Sequence, residues 1–297
     1  MAEPKRLASL EKALRASFVR HRAQVFSSLP REVALRAADI GHLILGYETL
    51  PRAMDLLRQG LQGKIPSLAV GNGTVVLALE LTRARGRFTR CWVAQRGGLW
   101  FALALYDDWL PELRGWVPLL FGLGVTEALQ VLGAPVNLKW INDVHYGGKK
   151  VCGVLMEQVY GEDGPWALVG LGLNVNNTLP EGLPAIGLQG ILGRCLDLEE
   201  VFGLVLACIA KYYGLLRHYE TELLEHRYQE EQPENPLYRA FLRLSDTLGR
   251  TVYWGYNLEE ERSWAVVKDL TPKGELLLVN DKGEWVLSSG EILYLEP

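Results

Sequence analysis

At 297 residues the chain can form one large domain and a smaller one, and it can bury a core without disulfide or metal staples. Hydrophobic residues make up 48% and charged residues 22%; the net charge of −4 excludes non-specific nucleic-acid binding as the main activity, which needs a strong basic excess. Any anion site must therefore be a local concentration of positive charge. Cys91, Cys152, Cys195 and Cys208 form no CxxC pair, and His21, His42, His145, His218 and His226 show no metal-ligand spacing, so free thiols and no protein-held metal cluster are expected. The N-terminal MAEPKRLASLEKALRASFVRHR lacks the apolar run of a signal peptide, and VFGLVLACIA at Val201–Ala210 is half a membrane span. A cytoplasmic protein without membrane association is expected.

In chain order, Leu7, Leu10, Leu14 and Phe18 recur at helical spacing within a segment holding eight Lys/Arg against four Asp/Glu over residues 1–40, which predicts a solvated helical extension. Ile40–Gly46 reads as a short strand, followed by a helix with Thr49 as N-cap, Pro51 in its first turn and Gly60 at its end. Strands are predicted at Thr74–Leu81 and Leu99–Tyr106, separated by a polar, arginine-rich loop. Val117–Leu132 has helical periodicity and runs into a strand at Val136–Ile141. Gly147-Gly148 is a hairpin signal before an alternating strand at Val151–Gln158; Trp166–Leu173 is a further strand and Leu198–His226 a long helix or helical pair. Gln229–Pro236 (QEEQPENP) is a candidate linker. Beyond Asp246, short strands with turns at Thr271–Gly274 and Asp281–Gly283 predict a small barrel-like β-domain. The fold class is α+β: a mixed-sheet catalytic domain with flanking helices, then a small β-barrel. The expected divisions are 1–39, a helical extension; 40–236, the catalytic domain; and 237–297, the C-terminal domain.

Two clusters carry the chemistry. In ARGRFTRCW at Ala84–Trp92, Arg85, Arg87 and Arg90 offer permanently charged, forked donors suited to phosphate or carboxylate oxygens, and Gly86 permits close backbone approach. In KWINDVHYGGKKVCGVLME at Lys139–Glu157, Lys139 ends an apolar strand, Asn142-Asp143 marks a bend, and Lys149-Lys150 opens the second hairpin arm. One polyanion could use both clusters, with Asp143 orienting a cation or helping to hold Mg²⁺ at a phosphate. Gly170-Leu171-Gly172 lacks the third glycine of a dinucleotide fingerprint, and the lysines after Gly147-Gly148 lack P-loop spacing.

These residues resemble a known family. KWINDVHYGGKKVCGVLME is similar to the KWPND…(K/R)K-x-x-G-x-L-x-E signature of biotin–protein ligases, with Lys139, Trp140, Asn142, Asp143, Lys150, Gly153, Leu155 and Glu157 in register. ARGRFTRCW resembles that family's GRGRxGRxW loop, VGLGLNVN at Val169–Asn176 its G-x-G-x-N-V-N strand, and Trp264–Leu295 its SH3-like closing domain. The resemblance covers roughly residues 40–297 and implies ATP-dependent activation of biotin as biotinyl-5′-AMP, then transfer to a lysine of a carboxylase's biotin carrier domain. It also implies the roles. Arg85-Gly86-Arg87 would wrap biotin and the adenylate, Arg90 meet the phosphates, and Lys150 hold the biotin carboxylate and the bridging phosphate oxygen. Lys139, Asn142, Asp143 and Asn174 would serve ATP and Mg²⁺, Trp92 would lie against the adenine, and Gly153 and Gly170 would floor the biotin slot with Thr49 at its edge. The loop Ala84–Arg90 is expected to be mobile when empty. Residues 1–39 are short for the repressor domain some relatives carry, so no nucleic-acid partner is expected.

The chain departs from the pattern on the acid-recognition side. The family's S-T-N stands here as Glu48-Thr49-Leu50, the glutamine before the arginine loop as Leu81, and the proline of KWPND as Ile141; Ala84 and Thr89 replace loop glycines. The adenylating cations are retained. Two alternatives follow: a paralogue that activates another carboxylic acid such as lipoate, or a non-enzymatic ligand-binding relative.

Overall fold

A computed structural model of the chain describes residues 4–87, 90–226, 233–256, 258 and 262–295. Seven strands form the large sheet: β1 (Ile44–Leu50), β2 (Val75–Leu81), β3 (Leu99–Tyr106), β4 (Asn137–Lys139), β5 (Asp143–Tyr146), β6 (Lys149–Gly161) and β7 (Gly164–Leu173). Their order is β1-β2-β3-β7-β6-β5-β4, parallel only between β1 and β2. β3 reads LWFALALY and is buried along all but its last residue, because helices cover both faces of the sheet at this point.

One face carries α1 (Ala8–Phe26), α2 (Arg31–Arg36), α4 (Trp116–Val131), α6 (Leu198–Glu225) and α7 (Pro236–Leu244) in a continuous core. α4 is apolar nearly all round, as a helix packed on several sides must be. α6 starts at Asp197, whose side chain accepts from the Glu199 and Glu200 backbone N–H groups at 2.9 and 3.1 Å. The opposite face carries α3 (Ala53–Leu61), packed through Met54 and Leu57 on Val76, Ala78, Ala102 and Leu168. The short α5 (Leu188–Leu192) follows the sheet's last strand.

Two local expectations are corrected. β1 extends to Leu50, so Thr49 lies in the strand and caps nothing; α3 begins at Ala53 after Arg52, and Gly60 is inside it. Pairing with β2, which registers Thr49 with Glu80, overrides the capping preference of an isolated threonine. Nor is the N-terminal helix a solvated appendage. Leu14, Ser17 and Phe18 are buried, and α1 lies on α6 at Gly203, where an added Cβ would come within 2.8 Å of the Ser17 Cβ. Residues 5–7 also cap the outer edge of β1, through Leu7 N–H to Gly46 O at 2.8 Å and Glu48 N–H to Lys5 O at 3.1 Å. The apolar stripe seen in sequence has a partner that only the fold supplies. Of the candidate linker, residues 229–232 lie outside the described residues, and Pro236 opens α7 behind the Asn235 cap.

The C-terminal strands β8 (Thr251–Gly255), β9 (Ser263–Leu270), β10 (Leu276–Asn280), β11 (Gly283–Leu287) and β12 (Glu291–Tyr294) form an antiparallel sheet ordered β11-β10-β9-β8-β12. Among the described residues no pairing joins β11 to β12, so the sheet is not a closed barrel. Short strands and tight turns are compatible with an open or a closed arrangement, since closure depends on tilt and stagger rather than local alternation. The β9–β10 turn anchors this sheet to the large one: Trp116 Nε1 donates to Pro272 O at 2.8 Å and Trp140 Nε1 to Gly274 O at 3.0 Å. No described helix is long and apolar enough to cross a membrane.

Candidate active site

The hairpin at Gly147-Gly148 sets the register of the site. Both glycines have positive φ, 53° and 76°, which permits the tight reversal between β5 and β6 and returns Lys149 and Lys150 opposite Tyr146 and His145, from where the Lys150 side chain reaches Asp143. Register partners then form one row: Lys139 opposite Asp143, Asp143 opposite Gly153, Gly153 opposite Gly172, and Gly172 opposite Trp100. Residues directly opposite across strands point to the same face, here the face that carries α3. The next row on that face pairs Leu155 with Gly170 and Gly170 with Ala102. The three glycines thus leave a shallow slot in the sheet surface.

Side chains lie directly in that slot. A Cβ on Gly153 would meet the Lys150 Cε at 2.7 Å and Nζ at 2.9 Å; one on Gly172 would meet the Trp92 Cε2 and Nε1 at 2.7 Å; one on Gly170 would meet the Met54 Sδ at 2.7 Å. Lys150 Nζ pairs with Asp143 Oδ1 at 2.6 Å and stands 5.2 Å from the Trp92 ring centroid. The buried Trp92 Nε1–H has no hydrogen-bond acceptor among the described residues. Lys139, at the sheet's far edge, is pushed below the usual lysine range by burial, against the opposing pull of Asp143.

The arginine loop folds back as a small hairpin, with Arg85 bridged to Cys91 and Gly86 N–H donating to Arg90 O at 2.8 Å. It leans on the C-terminal sheet. Arg87 Nη2 donates to Gly290 O at 2.7 Å, and the Arg90 fork meets both oxygens of Glu291 at 2.5 and 2.8 Å. Burial lowers the Arg87 pKa, opposed by Glu291 and Asp143. Thr89 lies outside the described residues, and the expected mobility of Ala84–Arg90 includes Phe88 and Thr89, which are not described.

The other expected site residues separate into two groups. Asn142 is at the bend, donating through Nδ2 to Val154 O while its own carbonyl accepts from Val154 N–H at 3.0 Å. Asn174 is buried, and its Oδ1 accepts from Asn177 Nδ2 at 3.1 Å. Thr49 stands apart: it is exposed on the outermost strand, with β2, β3 and β7 between it and β6. Glu48 beside it is drawn outward, pairing with Lys5 and Arg96, each at 3.0 Å, while Leu50 is buried under α3. Leu81 pairs by its backbone with Ala94 and packs partly buried on the same cluster. Sequence reading overlooked Gly172, although strand alternation places it on one face with Gly170. It also overlooked Gly290, Glu291 and Tyr294, which no local pattern connects to the arginines or to Lys139.

A concavity of about 520 Å³, lined by Val175, Asn177, Leu179, Gly187 and Gln189, holds no cation and lies outside the row. Trp92 and Met54 stand in the glycine slot, and its chemistry marks the site.

Residues 52–174 match the model of the biotin/lipoate A/B protein ligase family. The chain is 33% identical over 231 residues to the biotin–[acetyl-CoA-carboxylase] ligase of Mycobacterium tuberculosis, covering 75% of this chain and 80% of that protein. This chain belongs to the biotin/lipoate protein ligase family. A second relative, the bifunctional ligase/repressor BirA of Bacillus subtilis, is 34% identical over 149 residues; the match takes in 48% of this chain and only 46%, about half, of that protein's length. Among solved structures, the biotin protein ligase of Aquifex aeolicus in complex with biotin and ATP superposes with a TM-score of 0.68 at 28% identity, over 86% of this chain and all of that one. The segments that resemble the family's signatures are the β4–β6 hairpin, which brings Lys150 to the slot, and the arginine loop, which carries Trp92 into it while Arg87 and Arg90 lean on the C-terminal sheet.

Proposed function

We propose that the chain is a biotin–protein ligase: it joins biotin to AMP and passes the biotinyl group to a lysine of a carboxylase's biotin carrier domain. The observation that carries this reading is the row Lys139–Asp143–Gly153–Gly172 with Lys150 beneath Trp92. A charged end, made by both lysines, runs directly into an apolar, glycine-floored slot. An acid with an apolar body and one carboxylate fits such a slot with its head at Lys150.

In the first step a biotin carboxylate oxygen forms a bond to the α-phosphorus of ATP, and the bond from that phosphorus to the bridging oxygen breaks as pyrophosphate leaves. The difficulty is to hold an anionic nucleophile against a polyanion while charge builds on the phosphoryl oxygens. Fixed cations in a partly dry site meet that need. Lys150 holds the carboxylate and the α-phosphate together; Arg87 and Lys139 face the remaining phosphate charge; Arg90 meets the phosphates by exchanging its carboxylate partner Glu291 for them. Arg85 and Gly86 close over the adenylate, and Trp92 lies against the ligand. In the second step the carrier lysine's neutral amine attacks the acyl carbon. The acyl C–O bond to AMP breaks, an amide forms, and the amine loses a proton.

For Mg²⁺, the described residues contain no group of three or more His, Cys, Asp or Glu side chains able to hold a metal. One carboxylate at the bend, Asp143, with the amide oxygen of Asn142, suits an ion bound mainly through nucleotide phosphates. When bound there, Mg²⁺ would neutralise charge on the leaving pyrophosphate. Asn174, with its oxygen engaged by Asn177, shapes the wall of this region. The catalytic domain is assigned to residues 40–236, against which α1, α2 and α7 also pack, and the C-terminal domain to residues 237–297, both in a cytoplasmic protein.

One specific observation favours a second reading on the acid side. Glu48 points to Lys5 and Arg96, Leu50 is buried, and Leu81 is apolar, so of these β1-end positions Thr49 alone keeps a hydroxyl that could read a ureido group. An acid without a ureido group, such as lipoate, loses less there. Purified chain with ATP, Mg²⁺ and either biotin or lipoate, followed by pyrophosphate release and labelling of a carrier domain, decides between them. Lys150→Ala is expected to abolish release with whichever acid is used. Release undiminished in that variant would overturn the reading.

A further inference from the structure

Lys139 sits on β4, a three-residue strand at the edge of the large sheet that pairs with β5, while Leu138 also bridges Ser245. Its other side is supplied by the C-terminal sheet. Lys139 Nζ stands 5.4 Å from the centroid of the Tyr294 ring, on β12. That ring is itself held. The Tyr294 hydroxyl donates to Asp246 Oδ1 at 3.0 Å and shares a hydrogen bond of 2.8 Å with Thr247 Oγ1. Asp246 also takes His145 Nε2, from β5, at 2.9 Å and Arg250 at 3.2 Å. The fully buried Thr247 accepts from the Trp140 backbone N–H at 3.1 Å, the residue next to Lys139. Ser245 Oγ donates to Leu138 O at 2.7 Å on Lys139's other side. A polar seam therefore runs from both flanks of Lys139, through the Ser245–Thr247 segment, to the ring beneath its ammonium.

Such a seam does more than join two sheets. Joining requires only contacts of main chain and apolar surface, which the Trp116 and Trp140 anchors already provide. A lysine on a short edge strand is otherwise a long, rotatable side chain, and a π face fixes the direction in which its ammonium stands. We propose that Tyr294, held by Asp246 and Thr247, is a positioning residue for Lys139, so that the C-terminal sheet sets where one nucleotide-binding cation stands. This rests on the reading above in which Lys139 serves ATP.

The test is calorimetric binding of an α,β-methylene analogue of ATP with Mg²⁺, and separately of biotin, to the full chain. It uses Tyr294→Met, Tyr294→Phe, Lys139→Met and the Lys139→Met/Tyr294→Met pair, with Tyr294→Leu in place of the methionine variant if that does not fold. Tyr294→Met, which keeps an apolar side chain and loses the π face, is expected to weaken the nucleotide analogue about five- to tenfold and to leave biotin within about twofold. Tyr294→Phe keeps the face and is expected to stay within about twofold for both ligands while melting at a lower temperature. In the double variant the loss should equal that of Lys139→Met alone, because the tyrosine then has no ammonium to place. A purely structural tyrosine predicts otherwise: Phe and Met variants alike in nucleotide affinity, or losses that multiply in the double variant. Either result overturns the proposal. If Lys139→Met weakens the analogue and Tyr294→Met does not, the positioning role alone falls. If Lys139→Met leaves affinity unchanged, or the unaltered chain does not bind the analogue, the assignment of Lys139 falls and the proposal with it.

Discussion

Gly153→Ala isolates the chemistry from the fold. Gly153 is not in the left-handed region, so alanine suits its backbone, and the added methyl is the whole perturbation. That methyl would stand 2.7 Å from the Lys150 Cε, 2.9 Å from its Nζ and 3.2 Å from the Trp92 Cζ3, where ordinary contact begins near 3.4 Å. The lysine must move by about 0.5–1 Å, which stretches its 2.6 Å pair with Asp143 to as much as about 3.6 Å. Because Lys150 is 35% and Asp143 28% exposed, losing that pair costs only about 0.5–1 kcal/mol of stability, with both groups free to take water. Catalysis is far more sensitive: a displacement near 1 Å of a group that holds both reactants lowers turnover about 100-fold, or roughly 2.7 kcal/mol of barrier. Pyrophosphate release should therefore fall about two orders of magnitude while the melting temperature moves by no more than about 4 °C. Turnover within threefold of the parent would refute the placement of Lys150 over Gly153. A melting temperature lowered by more than about 8 °C would show instead that the glycine serves core packing.

Three further outcomes are expected. Gly172→Ala drives a methyl against the rigid Trp92 indole, and calorimetry should show acid-substrate affinity reduced about tenfold; parent-like affinity would mean that the indole does not lie on the slot floor. Burial alone would raise the Asp246 carboxyl, but its hydrogen bonds from His145 and Tyr294 and the nearby Arg250 hold it below the ordinary range. A depressed folded pKa stabilises fully above the unfolded value near 3.9 and is lost as pH falls through the folded value. Asp246→Asn should thus melt earlier than the parent at pH 7, the gap narrowing below about pH 4; a gap that widens in acid would contradict this. Glu127 is likewise held low against burial by Lys211 and Tyr212. Glu127→Gln leaves Lys211, whose side chain is 18% exposed, without its counter-charge, and a urea titration should register a loss of about 2 kcal/mol. An unchanged midpoint would remove this network from the stability of the α4–α6–α7 contact.

Much of the fold was legible because its signals are local. Leu99–Tyr106 is a strand over the span its apolar run predicts, Leu198–Glu225 is one helix, and Gly147-Gly148 makes the hairpin that two adjacent glycines call for. The misreadings also have physical causes. Thr49 has the chemistry of a cap, yet edge pairing with β2 holds it extended. The charged N-terminal helix looked solvated because its stripe of Leu10, Leu14 and Phe18 says nothing about what covers it, and the cover is α6, nearly two hundred residues on.

At the site, composition and motif spacing by themselves determined which side chains bear charge and in which two segments they lie, since a guanidinium or ammonium carries its chemistry wherever the chain places it. Tertiary structure alone decided which of them meet. Strand register aligned Lys139, Asp143, Gly153 and Gly172 in one row, and a sheet formed from the last fifty residues set Glu291 against Arg90 and Tyr294 beneath Lys139. Those contacts span up to about two hundred residues of chain, and nothing in local propensity records a pairing over that distance; it follows from how two sheets dock.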